Sequence, residues 1–255
     1  MLPPPRALLL DFGGVIADGR QPPGWRGALV AAVNDVLVGA GLAPVPAEVV
    51  LAPLDGDDRR SDLSWQAAAG PTQPDHETFW GDVIAAEWPP AARQAVVRHA
   101  TALSRRLVEE KYGRSWRLRP GMVELLDDAR RRGLPVAVVS NTPCGAAHRD
   151  FLDRVGLTGH FAAQFYSDEE GVRKPNPEFA LRAVAAVGVR PGECWFVGDT
   201  VSRDVLVARR AGLGAAVLMR SLRRERLPHP DGAEPDAVVD DPVGLHDLLR
   251  ASLGR

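Results

Sequence analysis

Residues 7–14 read Ala7-Leu8-Leu9-Leu10-Asp11-Phe12-Gly13-Gly14, and what Asp11 is for decides how the rest of the chain is read. Four apolar residues closed by glycine predict a short buried strand. An acid at the carboxyl end of such a strand emerges where open parallel sheets place their ligand crevice. Removing that acid from water is costly unless it is paired or holds a metal. Aspartate ahead of glycine also marks ordinary turns, so this segment alone leaves a crevice acid and a turn acid both open.

Three later stretches each carry an apolar strand or a loop to one polar group. Pro135-Val136-Ala137-Val138-Val139 runs into Ser140-Asn141-Thr142. The loop Gly171-Val172-Arg173-Lys174-Pro175-Asn176-Pro177 holds one lysine. Cys194-Trp195-Phe196-Val197 ends in Gly198-Asp199-Thr200-Val201-Ser202-Arg203-Asp204. Carboxylate, hydroxyl, lysine and a pair of carboxylates therefore follow in that order along one chain. Each is weak evidence alone, and the ordered set is specific.

That set resembles the haloacid dehalogenase-like hydrolase superfamily. Its four motifs are an Asp nucleophile after the first strand, Ser/Thr after the second, a Lys, and an acidic loop after a later strand. The resemblance spans Ala7 to Asp204, with Lys174-Pro175-Asn176-Pro177 and Gly198-Asp199 through Asp204 its most typical wording. Most members are magnesium-dependent phosphatases.

Composition sets the outer limits. The chain has 255 residues, enough for one large domain or two small ones, with 45% hydrophobic and 25% charged residues, as in an ordinary globular protein. A net charge of −2 gives no reason to expect nucleic acid or an anionic membrane as partner. The two cysteines, Cys144 and Cys194, make no disulfide framework and suit a reducing compartment. Met1-Leu2-Pro3-Pro4-Pro5-Arg6 lacks the apolar region of a signal peptide, and no stretch approaches the roughly 20 apolar residues that cross a bilayer. The expectation is a cytoplasmic protein, monomer or homodimer, and the resemblance implies a small phosphorylated metabolite as its partner.

From Leu118 onward, helix and strand signals alternate, which predicts a doubly wound α/β parallel sheet. Pro120 opens a helix with Val123, Leu126 and Ala129 on one face. Arg130, Arg131 and Arg132 crowd its last turn before Gly133, where cations favour the dipole and glycine ends the helix. Strand Val136–Val139 follows, then a helix Gly145–Val155 and a strand near Gln164–Tyr166. Next come a helix from Pro177 to Gly188, strand Cys194–Val197, helix Arg203–Ala211 and strand Ala215–Leu218. The last pair is Ala237–Val239 and a helix from Pro242. Between them, Arg220 to Asp236 reads as a surface loop whose Arg220, Arg223, Arg224 and Arg226 form a solvated face.

Between Asp18 and Trp116 the pattern changes to helical segments, including Ala28–Ala40 and Ala91–Tyr112, with no clear strand. This stretch holds five of the six tryptophans, Trp25, Trp65, Trp80, Trp88 and Trp116, and reads as an insert with its own small core. The expected organisation is a core of residues 1–17 and 118–255 with an inserted helical domain at 18–117. In the resembled superfamily such an insert is a cap over the active site, on a Rossmann-like core.

The resemblance assigns Asp11 as the nucleophile that forms an aspartyl-phosphate, later cleaved by water. It places Mg2+ on Asp11, the Gly13 carbonyl and Asp199, with Asp204 behind them or reaching the metal through water. Magnesium suits one or two carboxylates plus retained waters. Ser140 and Lys174 would donate to phosphoryl oxygens, with Asn141 a further candidate donor. Singly, Ser140 also fits a turn, Lys174 an exposed loop, and Asp204 an acid favoured by its helix dipole.

One position departs from the phosphatase pattern. Where most such enzymes carry a second aspartate two residues after the nucleophile as general acid and base, this chain has Gly13. A carbonyl ligand survives that change, and an acid worth roughly 100- to 10,000-fold does not. The opening Asp11-Phe12-Gly13-Gly14-Val15 resembles a capped subgroup of the family with an Asp-x-Gly-x-Val first motif, similar to sugar-phosphate phosphatases. Some of those have another aspartate seven residues after the nucleophile, where Asp18 stands here as the candidate substitute, with a plain Asp18-Gly19 turn as the alternative.

Two other functions stay open from sequence. A 2-haloacid dehalogenase shares the nucleophile and lacks the second acid, but it needs no metal, against which Gly198-Asp199 and Asp204 argue. A non-catalytic phosphate-binding or regulatory protein is permitted by Gly13. Substrate selection is expected in the insert, where Asp57-Asp58-Arg59-Arg60, Trp65, His76 and Trp80 are candidate contacts, each also explicable as exposed charge or core.

Overall fold

The computed structural model describes residues 2–54, 70–222 and 233–254; Asp57, Asp58, Arg59, Arg60, Trp65, Arg223, Arg224 and Arg226 lie outside them. Six parallel strands form one sheet in the order β5-β4-β1-β6-β7-β8. They are β1 (Ala7–Leu10), β4 (Val136–Ser140), β5 (Ala163–Tyr166), β6 (Cys194–Gly198), β7 (Ala215–Met219) and β8 (Ala237–Val239). A two-stranded antiparallel ribbon pairs β2 (Ala17–Asp18) with β3 (Arg117–Leu118). It stands where chain leaves and re-enters the core, a place where the sequence shows no strand pattern.

The central strands are apolar throughout because both faces are covered. Successive side chains point to opposite faces. Leu8, Leu10, Val136, Val138, Trp195 and Val197 join one hydrophobic cluster with the helices Met122–Arg131, Gly145–Arg154 and Pro242–Leu253. Ala7, Leu9, Ala137, Val139, Cys194 and Phe196 join the other, beneath Pro177–Val187 and Leu206–Arg210. Leu10 pairs with Val138 on one side and Val197 on the other. The carboxyl ends of β4, β1 and β6 are therefore neighbours, where the order of connection reverses and a crevice opens.

Local chemistry explains most element ends. The Asn176 side chain accepts from Glu178 N, Pro177 opens the helix, and Gly188 at φ 73° closes it. Asp241 caps the last helix by accepting from Gly244 N at 2.9 Å. Some expectations need correction. Val123 is exposed and Met122, Leu125, Leu126 and Ala129 are buried, because the helix begins at Met122 and its apolar stripe is turned by one residue. The expected helix Ala91–Tyr112 breaks at His99 into Pro90–Arg98 and Ala100–Val108, followed by a wider turn, Glu109–Gly113. Arg203 lies inside a turn of the same wide type, Val201–Val205, ahead of Leu206–Arg210.

The inserted residues build a hydrophobic cluster of their own from Trp25, Leu29, Val33, Leu37, Trp80, Trp88, Val96, Leu103 and Leu107. Trp116 is not part of it. Its ring lies 4.9 Å from Phe12 and 5.6 Å from Phe151, inside the cluster of the sheet. Burial pushes the Cys194 thiol to about 11 and raises that of Cys144, so both act as packing residues. Among the described residues, no helix is long and apolar enough to cross a membrane.

Asp128 ties the first core helix to the last. It accepts from Arg132 at 2.8 Å, Arg131 at 3.2 Å and, through Oδ2, lies 3.0 Å from His246 Nε2. The His246 contact and the two guanidiniums hold its carboxyl down at about 2, against the opposing pull of burial. A carboxyl depressed on folding contributes stability above its unfolded value near 3.8, and the contribution is lost as pH falls toward 2. Asp128→Asn is therefore expected to lower Tm at pH 7 by about 2–4 °C, the shift for roughly 1 kcal/mol in a chain of this size. Melting curves recorded down to pH 2 should show the two proteins converging; a constant gap would remove the charge as its cause.

Candidate active site

Asp11 follows β1 directly, its N–H donating to Val197 O at 2.9 Å, so the ladder to β6 carries it to the carboxyl end of the sheet. The chain then turns tightly, with Phe12 O accepting from Ile16 N at 2.9 Å and Ala17 N at 3.0 Å. Phe12 anchors the turn beneath, 4.3 Å from the ring of His148. Gly14 has φ +82°, and a Cβ there would collide with the Asp199 carboxylate. Gly13 is not among the positive-φ glycines, so its backbone is one other residues adopt.

Lys174 is the centre of the site. It is 1% exposed, and its Nζ lies 2.8 Å from Asp11 Oδ1 and 2.6 Å from Asp204 Oδ1. Ser140 is buried at the carboxyl end of β4. Asn141, expected as a phosphate donor, uses its side chain differently. Its Oδ1 accepts from Lys174 N at 2.8 Å and its Nδ2 donates to Lys174 O at 3.0 Å, so it mimics a strand neighbour and fixes the lysine's backbone.

Asp199 and Asp204 flank the opening after β6. The Asp204 Oδ2 atom accepts from Asp199 N at 3.1 Å, Thr200 N at 2.9 Å and Thr200 Oγ1 at 2.6 Å. With Oδ1 on Lys174, both oxygens of Asp204 are committed. Burial pushes its carboxyl up, but Lys174, Arg203 and the hydrogen bonds outweigh that and leave it below the usual carboxylate value. Asp199 Oδ2 accepts from Ser221 Oγ at 2.8 Å, a contact with nothing in the sequence to announce it. One oxygen from each of Asp11, Asp199 and Asp204 lies within 4.8 Å of the others.

The remaining candidates fall elsewhere. Asp18 sits on the ribbon, 3.4 Å from Arg119 Nε. His76 Nε2 is 3.8 Å from Asp168, whose carboxyl is raised by burial and accepts from Gly145 N. Trp80 is fully buried in the insert and donates to Ser104 Oγ at 2.9 Å, which rules it out as a substrate contact in this arrangement. His148 is buried among aromatic rings, and burial holds it neutral with a pKa of about 3.

The model of the haloacid dehalogenase-like hydrolase family matches residues 5–212, and the chain belongs to that family of hydrolases. A phosphoserine phosphatase of Thermus thermophilus is 38% identical over 128 residues, 50% of this chain and 49% of that protein. Phosphoglycolate phosphatase 1 of Pseudomonas aeruginosa is 29% identical over 245 residues, 96% of this chain and 79% of the relative. A glyceraldehyde 3-phosphate phosphatase of Methanopyrus kandleri is 32% identical over 133 residues, 51% of this chain. The chain spans about half the length of the first and third of these, 49% and 56%. Two solved structures share the fold: CbbY from Rhodobacter sphaeroides in complex with phosphate (TM-score 0.58, 19% identity, 94% of this chain and 96% of that one), and 2-haloacid dehalogenase from Pseudomonas syringae (TM-score 0.60, 18% identity, 98% and 99%).

The wedge of Gly14 against Asp199 is testable on its own. Gly14→Ala forces a side chain into a left-handed conformation, about 1–2 kcal/mol, before any displacement of Asp199 is counted. A drop in unfolding free energy of at least that size is expected in denaturant titrations. A stability equal to the parent would mean that the loop and Asp199 are not packed this closely.

Proposed function

We propose that this protein is a magnesium-dependent phosphatase that cleaves a small phosphate monoester through an aspartyl-phosphate on Asp11. The observation that carries the reading is the buried ammonium of Lys174 held between two of three clustered carboxylates. Three clustered acids against the one ammonium of Lys174 leave two negative charges in excess, the charge of one divalent cation. Buried charge of that kind is expensive unless neutralised. Hard oxygen donors suit magnesium. Asp11 and Asp199 would hold it, with the Gly13 carbonyl, while Asp204, whose oxygens are both engaged, orients Asp199 and Lys174.

Bound there, the metal would screen the nucleophile from the phosphoryl oxygens and withdraw charge from phosphorus. A carboxylate oxygen of Asp11 attacks phosphorus, the bond to the leaving oxygen breaks, and that oxygen departs with its electron pair. Lys174 and the Ser140 hydroxyl donate to the equatorial oxygens, where charge collects. Water then attacks the phosphorus of the acyl phosphate, which frees Asp11 and inorganic phosphate. The inserted helices act as a cap that shields the crevice, and the activities of the phosphatase relatives favour a small phosphorylated metabolite as substrate.

Purified protein should hydrolyse p-nitrophenyl phosphate with magnesium, lose activity in EDTA and recover on re-addition. Asp11→Asn should abolish turnover in a folded protein and abolish beryllofluoride binding. Full activity in EDTA, with chloride release from 2-chloropropionate, would replace this reading by the dehalogenase. Lys174→Ala should lower turnover by roughly two orders of magnitude or more, the scale of one preorganised donor. Lys174→Arg should not restore it, since a planar fork does not fit between two carboxylates spaced for a compact ammonium. Normal turnover by the arginine variant would remove Lys174 from the phosphoryl group.

Gly13 leaves the departing oxygen without the usual acid. Rates are therefore expected to fall steeply as the leaving-group pKa rises from aryl to alkyl phosphates. Gly13→Asp, at a position without positive φ, should flatten that dependence and raise activity on alkyl esters. A shallow dependence in the parent would mean that an acid is supplied from elsewhere.

A further inference from the structure

Among the described residues, the buried charged side chains are Asp11, Glu110, Arg119, Asp128, Lys174, Asp199 and Asp204. Lys174 and its acids form the site, Asp128 ties two helices, and Glu110 is met by Arg106 and Arg114 within the insert. Arg119 remains. It is 7% exposed, and its three nitrogens go to three different parts of the molecule. Nε faces Asp18 on the outgoing ribbon strand at 3.4 Å, one terminal nitrogen donates to the Gly14 carbonyl, and the other donates to the Asp240 carbonyl at 2.9 Å. Its backbone adds a bond from its N–H to Ile16 O at 3.0 Å.

We propose that Arg119 is a positioning residue for the metal-side loop, holding Gly14 by its carbonyl against Asp199, and that Asp18 serves this clamp rather than acting as the missing acid. The inference rests on the phosphatase reading for its consequence, but not for its geometry. Gly14 is pressed between two fixed points, the guanidinium on its carbonyl and the Asp199 carboxylate beside its Cα. The carbonyl one residue earlier, on Gly13, is the proposed ligand. That oxygen belongs to the Gly13–Gly14 peptide, whose N–H donates to Ala17 O at 2.9 Å, while Arg119 holds the next peptide through the Gly14 carbonyl. Two successive anchored peptides fix its direction, and magnesium tolerates little deviation from octahedral geometry. Partners of this kind, one step behind the ligands, commonly set metal affinity by 10- to 100-fold. Lysine cannot take the role, because three acceptors on three elements need three donors in one plane. Arg119 also follows directly on β3, where the insert returns, and so joins both ribbon strands to the loop behind the nucleophile.

The test compares the full chain with Arg119→Ala, Arg119→Lys and Asp18→Asn, first by magnesium binding and then by turnover. Binding is read without catalysis, as the rise in Tm on adding magnesium and by calorimetric titration. Both Arg119 variants are expected to bind magnesium about 10- to 100-fold more weakly. Their kcat at saturating magnesium should recover further than kcat at low magnesium. Guanidinium ion added to Arg119→Ala should restore part of the affinity, which a general loss of packing would not allow. Asp18→Asn should weaken magnesium in the same direction, by less, and leave the leaving-group dependence of the rate as it is in the parent. Unchanged magnesium affinity in a folded Arg119→Lys would overturn the proposal, and so would a leaving-group dependence made steeper by Asp18→Asn. If the parent binds magnesium yet hydrolyses no phosphate ester, the phosphatase reading fails while the binding comparison still decides the role of Arg119.

Discussion

The ammonium of Lys174, nearly sealed from water and 2.8 and 2.6 Å from Asp11 and Asp204, is the interaction that the rest of the crevice is built to keep in place. Buried ion pairs of this kind add little to stability, because desolvation offsets most of the attraction, but removing one partner is costly. Their value is directional. Here the ammonium sets the spacing of Asp11 and the acidic loop, two segments almost two hundred residues apart in sequence. Everything that touches the lysine loop then becomes part of the site's accuracy.

That loop is held from two sides. On the core side, Asn141 takes both backbone polar groups of Lys174 and extends the order of β4 beyond its last residue. From the insert, Pro71 O accepts from Arg173 N at 3.3 Å and Asn176 Nδ2 at 3.4 Å, and Gln73 N donates to Gly171 O at 3.0 Å. The loop after Asp11 is held in the same double fashion, by Arg119 at the ribbon and by Gly14 against Asp199. Inserted residues therefore meet the lysine loop directly, and the loop after Asp11 is held where the β2–β3 ribbon joins the core.

Local signals in the sequence accounted for much of this architecture. Apolar runs of four or five residues are the strands, and the Asn176-Pro177, Gly188 and Asp241-Pro242 signals mark helix ends where they stand. Where local reading failed, packing overruled it. The apolar stripe of Met122–Arg131 is turned so that Val123 meets water, and the long helix expected at 91–112 breaks at His99 so that both halves reach the insert's core. Trp116 lies among inserted residues in sequence and packs with Phe12 in space.

Sequence alone picked out Asp11, Lys174, Asp199 and Asp204, which the fold brings together, because each follows a strand end or sits in a proline-bounded loop, a signal written within a few residues of the group itself. It also determined that Gly13 brings no acid. Tertiary structure decided what each group is committed to. Asn141 meets the backbone of a residue 33 positions away, and Arg119 meets the carbonyl of Gly14 across 105. Trp80 turns into the insert's core, and Ser221 reaches Asp199 from the end of a different strand. Pairings over such separations leave no periodicity and no spacing, because they arise only when the sheet brings strand ends together, and so they can be read from the fold and from nothing shorter.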